Sequence, residues 1–225
     1  MAGQRFNRID WFDFFPVKDR LLQGLDGANV LLVDVGGGRG HRLQRFRSRF
    51  PDDTRTTTLV LQDLPDVIDA ADDLDEGIVK MAHDFFTLQP IKGEPSSLSS
   101  SIAHWHSASF SYRPSLPIRG VRAYYFRSIF HNWPDSKCRE ILAQIRPAMT
   151  RGHSRIFIND WILPDQGAAL YPSLLDINMM TLFSSMERTE TQWRTLIESV
   201  DGASRRRKGV LRLSWSGNIA KTSFV

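Results

Sequence analysis

The sequence predicts an α/β domain built on a doubly wound, mostly parallel sheet, and three observations predict it. Short β-branched or apolar runs alternate with segments of helical periodicity, which places helices on both faces of a parallel sheet. The first such run, Val30 to Val35, stops at Gly36-Gly-Gly-Arg-Gly40, so a glycine turn follows the first strand. Behind it Leu43, Phe46 and Phe50 recur at helical spacing. Strand, glycine turn and helix together mark a cofactor site at the carboxyl end of that strand.

The elements follow in order. Asp10-Trp-Phe-Asp-Phe-Phe-Pro16 is too apolar for a free arm, so Trp11, Phe14 and Phe15 are expected to pack on the sheet or on a partner. Pro16 is placed to open a helix that Gly24 stops. After the first strand a helix runs from about Gly40 to Phe50, closed by Pro51. Thr56 to Leu61 is the second strand, ending at Gln62-Asp63-Leu64-Pro65, and Asp66 to Ala71 starts a short helix. Gly77 to Ala82 is the third strand, leading into His83-Asp-Phe-Phe86. Ala123 to Phe130 is the fourth and runs into His131-Asn-Trp-Pro-Asp135, with Asp135 as N-cap of a helix from Ser136 to about Met149. Arg155 to Asp160 is the fifth strand.

Two stretches break the pattern. Residues 94–120 are rich in serine and proline without periodicity and are expected to be a disordered insertion. In the tail, 201–225, Arg205-Arg-Arg-Lys208 and Ser214-Trp-Ser-Gly217 interrupt any clean alternation, so the sheet is expected to be incomplete at its C-terminal strands.

Composition bounds the function. A chain of 225 residues with 41% hydrophobic and 24% charged residues fits one globular domain spanning 1–225. Its single cysteine, Cys138, excludes an internal disulfide and a cysteine-based zinc cage. His104 and His106 have no evident partner ligands, so no metal site is expected. No apolar run approaches the ~18 residues of a membrane span, and the N-terminus lacks a signal-peptide core. A cytoplasmic protein without a membrane partner is therefore expected. The net charge of +4 is carried by dispersed arginines with no aromatic platform between them, which argues against nucleic acid.

The glycine turn admits more than one cofactor. A dinucleotide fingerprint wants a third glycine where His41 stands, which weakens a nicotinamide-dependent reading, and no Gly-Lys-Ser/Thr follows for a Walker loop. Asp34 lies inside the preceding strand and is expected to brace the turn through backbone amides. Asp63, at the end of the second strand, can accept hydrogen bonds from both hydroxyls of a ribose. Asp84 can accept from an adenine amino group while Phe85 or Phe86 packs the ring. That set suits an adenosine without phosphates.

Five motifs recur here together and in order: Val33-Asp-Val-Gly-Gly-Gly-Arg-Gly40, Leu61-Gln-Asp-Leu-Pro65, His83-Asp-Phe-Phe86, Phe130-His-Asn-Trp-Pro-Asp135 and Glu187-Arg-Thr-Glu190. With them the chain, from roughly Trp11 to Val200, resembles the S-adenosylmethionine-dependent O-methyltransferases of the plant caffeate and fungal polyketide type. The resemblance implies a Rossmann-like class I methyltransferase fold, S-adenosyl-L-methionine as cofactor and a small aromatic or polyketide-type acceptor. It further implies that Gly36, Gly37 and Gly38 face the methionine moiety, Asp63 the ribose, and Asp84 with Phe85 the adenine. Arg127 matches a basic cofactor-contacting position and Trp133 an aromatic beside the adenosine. His131 matches the general base, and Asp160 and Glu187 match the acids that flank it. Relatives carry an N-terminal helical domain that dimerises them and closes part of the acceptor pocket; that domain is expected to be missing here.

The chemistry accounts for those residue types. A phenol has a pKa of ~10, so a histidine titrating near neutrality is a sensible proton acceptor, and a carboxylate against its ring fixes the tautomer. Taken singly, each residue has a plainer role: His131 as a structural histidine, Asp160 as a strand-end polar residue, Glu187 as a helix-start acid. Met179, Met180, Phe183 and Met186 fit an acceptor pocket or a helix core equally well. Two competing classes follow: a cofactor-binding remnant without turnover, and an NAD-dependent Rossmann enzyme.

Overall fold

The structure is a computed structural model that describes residues 10–24, 30–92, 120–202, 211–216 and 219–224. The serine-rich stretch expected to be disordered lies, apart from Gly120, outside those residues. Strands β1 (Val30–Val35), β2 (Thr58–Asp63), β3 (Ile78–Ala82), β4 (Val121–Arg127) and β5 (Arg155–Asn159) form a parallel sheet in the order β3-β2-β1-β4-β5. The chain reverses direction between β1 and β4, so the carboxyl end of β1 is a topological switch point, where such sheets bind ligands.

The tail differs from expectation. Beside a separate pair of short strands, β6 (Ile162–Leu163) and β7 (Arg188–Thr189), β8 (Leu211–Ser216) and β9 (Ile219–Phe224) extend the main sheet to seven strands, with β9 antiparallel to β5 and Ile158 opposite Ala220. Gly217 and Asn218 separate the two strands, a spacing and residue choice that favours a tight hairpin. Backbone pairing thus outweighs the broken side-chain alternation.

Helices cover both faces. On one, α1 (Trp11–Phe14) and α2 (His41–Arg49) pack through Trp11, Phe12, Leu43 and Phe46 onto Leu59, Leu61, Tyr125 and Phe157. Trp11 is 2% exposed and stacks on Phe46 at 5.5 Å and 11°, so the aromatic entry segment docks on the sheet. Phe15 is buried too, and the helix expected between Pro16 and Gly24 is one π-helical turn, Lys18–Leu22. After α2 come two short helices, α3 (Pro51–Arg55) and α4 (Pro65–Asp69). The opposite face carries α5 (Asp135–Ile145) and α7 (Glu190–Gly202), whose Ile141, Leu142, Ile145, Trp193, Leu196 and Ile197 pack on Val33, Tyr124, Phe126 and Ile156. Pro134, not Asp135, is the N-cap of α5, because a proline in extended conformation already ends the preceding turn.

Helix α6 (Leu170–Phe183) breaks the amphipathic rule. It has no buried residue, and Leu170, Tyr171, Leu174, Ile177, Met180, Leu182 and Phe183 are all exposed. Met180 and Phe183 are therefore not core residues in this structure.

Candidate active site

The site begins with backbone. Gly36 and Gly37 donate to the Gln62 carbonyl at 2.8 and 3.1 Å, and Gly38 donates to Asp63 Oδ2 at 2.8 Å. The glycine turn is thereby laced to the end of β2. A Cβ on Gly37 would lie 2.5 Å from Leu61 Cδ1 and 2.7 Å from Asp34 Cγ, and Gly36 holds φ +69°, a backbone conformation that excludes most side chains. Asp63, not Asp34, braces this turn; its second oxygen accepts from the Leu64 N–H at 2.8 Å. Each carboxylate oxygen has two lone pairs, so capacity remains for a ligand's hydroxyls. Asp34 is fully buried beneath the turn, and burial pushes its carboxyl up to about 7 against the pull of Arg42 and Arg127.

Beyond β3, Asp84 is exposed and its Oδ1 accepts from the Phe86 N–H at 2.9 Å, which shapes the turn that presents Phe85 and Phe86. Those two rings meet Trp133 edge-on, at 6.3 and 4.8 Å respectively. Trp133 comes from the segment after β4, so residues 48 positions apart in sequence form one aromatic wall. Arg127 ends β4 beside Asn159 of β5, and its charge is felt at Asp34.

His131 sits in a 3-10 turn, Phe130–Asn132, just past β4. Its backbone N–H donates to Asp160 Oδ2 at 3.1 Å, and its Nδ1 is 2.8 Å from Glu187 Oε1. Burial pulls the imidazole pKa down, but the Glu187 hydrogen bond and the Asp160 and Glu187 charges outweigh it, leaving the pKa above its ordinary value. Asp160 is 5% exposed and Glu187 2%. Burial and the Glu187 charge push Asp160 up to about 6, against the nearby histidine. Asp160 Oδ1 and Glu187 Oε2 keep their acceptor capacity, with no partner among the described residues. The turn also touches the glycine loop, because Ile129 Cδ1 lies 2.5 Å from where a Gly36 Cβ would stand.

All eleven residues singled out from sequence lie at or just beyond the carboxyl ends of the strands or on Glu187's segment. The structure brings Gly36 to Gly38 together with Asp63, and His131 together with Asp160 and Glu187. It adds four that sequence reasoning did not assign. Gln62 anchors the loop through its carbonyl, and Asp176 of α6 accepts the Glu187 N–H at 2.8 Å. Ile129 bridges the two halves, and Arg188 holds the His131 turn. Only Arg188 had a visible signal, an arginine adjoining a singled-out acid. Among the described residues no group of three His, Cys, Asp or Glu could hold a metal ion, and no helix is long and apolar enough to cross a membrane.

A parallel switch-point sheet, a glycine turn without a Walker lysine and a histidine held by two buried acids define a class I methyltransferase domain. Comparisons with known proteins narrow this. A model described as "O-methyltransferase domain" matches residues 94–202. The methyltransferase cfoC of Aspergillus candidus is 37% identical over 203 residues, 89% of this chain and 43% of that protein. Demethylsterigmatocystin 6-O-methyltransferase stcP of Emericella nidulans is 32% identical over 188 residues, 84% of this chain and 77% of that protein. Among solved structures, a LepI variant in complex with SAH and a substrate analogue superposes with a TM-score of 0.72 at 28% identity, covering 99% of this chain and 49% of that one. The chain belongs to the S-adenosylmethionine-dependent O-methyltransferases and resembles fungal secondary-metabolite members. It spans under half the length of the first of these relatives.

Proposed function

We propose that the chain transfers a methyl group from S-adenosyl-L-methionine to a hydroxyl, phenolic in character, on a small aromatic or polyketide-type acceptor. The observation that carries this is the 2.8 Å contact between His131 Nδ1 and Glu187 Oε1, in a turn that touches the glycine loop. The residues present fit the cofactor. Gly36 and Gly37 let the turn pack closely on Ile129, Leu61 and Asp34, Gly38 leaves open space where a Cβ would stand, Asp63 offers acceptors for a ribose, and Asp84 with Phe85 and Trp133 frames a place for adenine. When bound, that cofactor supplies an electrophilic methyl group on a sulfonium. The Arg127 charge would oppose the carboxylate of its methionine moiety.

The rest is the work of this chain. Glu187 accepts a hydrogen bond from the Nδ1–H of His131, so the lone pair at Nε2 is the one that can accept a proton. A phenol hydroxyl hydrogen-bonded there loses its proton to Nε2 as the oxygen attacks. The imidazolium that forms is stabilised by Glu187, while Asp160 fixes the turn through the His131 N–H. We place this reaction in the cytoplasm. By likeness to the relatives we take the working form as a homodimer completed by a further helical domain.

Two measurements test the reading. Calorimetry should show S-adenosylhomocysteine binding, weakened in Asp63→Ala; no binding to folded protein overturns the adenosine site, and displacement by NAD revives the dinucleotide reading. A radiolabelled methyl-transfer assay over a panel of phenols should show turnover that His131→Ala lowers by ~10²–10⁴-fold. Cofactor binding without transfer anywhere in the panel favours the non-catalytic remnant.

A further inference from the structure

Arg188 is 1% exposed and follows Glu187 directly, yet its guanidinium reaches away from that acid to the segment carrying His131. Nη1 donates to the Phe130 carbonyl at 3.0 Å and Nη2 to the Trp133 carbonyl at 2.8 Å. Nε and Nη2 both donate to Asp135 Oδ1, at 2.9 and 2.7 Å. The group also lies over the Trp193 ring, 5.4 Å from its centre. Phe130 opens the 3-10 turn and Trp133 closes it, so the fork holds the backbone on both sides of His131. The Cys138 thiol approaches the same two carbonyls at 3.4 and 3.2 Å, and burial pushes its pKa up to about 12, so it adds no charge there.

We propose that Arg188 is the positioning residue of the site: it sets the His131 turn so that the imidazole meets Glu187 while Trp133 stays against Phe86. The dipeptide Glu187-Arg188 then acts as one bracket, the acid on the ring and the base on the backbone of the same turn. The proposal rests on the reading of His131 as the proton acceptor. Planarity is what makes arginine suitable. Five N–H groups in a rigid fork can serve two carbonyls and a carboxylate at once, whereas a lysine ammonium offers a compact point charge on a flexible stem.

Position and charge predict opposite signs, which gives the test. The groups around the imidazole are Glu187 just ahead of Arg188, Asp160 past the end of β5, Arg188 and Asp135 beside the turn, and Asp176 behind Glu187. If Arg188 acted only as a nearby cation, removing it would raise the His131 midpoint. If it positions the turn, its loss loosens the contact with Glu187 and lowers the midpoint.

Arg188→Lys keeps the charge and loses the fork; Arg188→Gln loses both. The imidazole titration of His131, followed by NMR in the full chain and assigned with His131→Asn, should fall by ~0.5–1 pH unit in both variants. Turnover should drop ~10–100-fold, with the acceptor KM changed far less. Folded variants whose midpoint stays put or rises overturn the proposal. Should both misfold, Asp135→Asn leaves Arg188 in place and removes only its half-exposed partner, and a smaller fall is expected; an unmoved midpoint there overturns it equally. The titration needs no turnover, so a wild-type chain that transfers no methyl group defeats the proposed function while this result still decides the role of Arg188.

Discussion

Two buried acids act on His131 from different sides. Glu187 engages the ring and Asp160 the backbone, so their substitutions should separate. The proton acceptor is the neutral imidazole, whose folded pKa lies above 6.5, so kcat/KM should rise with pH through a limb above that value. Glu187→Gln removes the charge and leaves burial opposed by Asp160 and the Ser128 backbone hydrogen bond. Its acidic limb should move to lower pH while the maximal rate falls on the order of 100-fold, as a pH–rate profile would show. The same raised pKa means that protonated His131 stabilises the fold most at low pH, a contribution lost as pH rises through the folded value. Asp34 makes a second prediction. Its carboxyl binds a proton more tightly folded than unfolded between 3.8 and about 7, so its ionisation costs stability as pH rises. Asp34→Asn should raise the unfolding free energy at pH 8 by up to ~4 kcal/mol and change it little at pH 4, as chemical denaturation at the two pH values would show. At this scale the sequence was informative about residue type and poor about division of labour. Asp34 and Asp63 both looked able to hold the glycine turn, and only the register of β1 on β2 decides for Asp63.

Among the elements, α1 and α6 are opposites. The four-residue α1 is too short to hold itself, and it is fixed by Trp11 among Phe46, Tyr125 and Phe157. Trp11→Ala should cost about 3–5 kcal/mol in chemical denaturation, the range for emptying a large aromatic site. Helix α6 is long, apolar and uncovered, a surface of the kind that marks an interaction face. With the proposed homodimer seated on this face, Leu174→Glu with Ile177→Glu should weaken the dimer in sedimentation and leave far-UV circular dichroism unchanged. The helix was legible as a helix but its environment was not. A run that is apolar all round looks the same whether it is buried by its own chain or by another surface.

At the scale of the whole molecule, the order of strands follows from the alternation of elements and from right-handed crossovers, which is why the parallel half was readable. The tail was not, because backbone pairing along β5 leaves no periodic trace in side chains. β9 covers the edge of β5, so a chain ending at Gly202 should expose an unpaired strand and aggregate where the full chain does not, as light scattering would register. The site is assembled differently in its two halves. Its cofactor half lies on consecutive parallel strands, while its base half depends on Glu187 and Arg188, brought in from 56 and 55 residues beyond the turn atoms they hold. The first was visible as local motifs; the second required the fold.

The bonds from Gly36, Gly37 and Gly38 to the end of β2 carry one more consequence. They run from the loop to the chain's own Gln62 carbonyl and Asp63 carboxylate, so the shape of the glycine loop does not depend on contacts with a nucleoside. Association with that loop should therefore be a single encounter step without a slow isomerisation, its rate governed by diffusion and orientation, and differences in affinity among adenosine ligands should reside in how long each one stays.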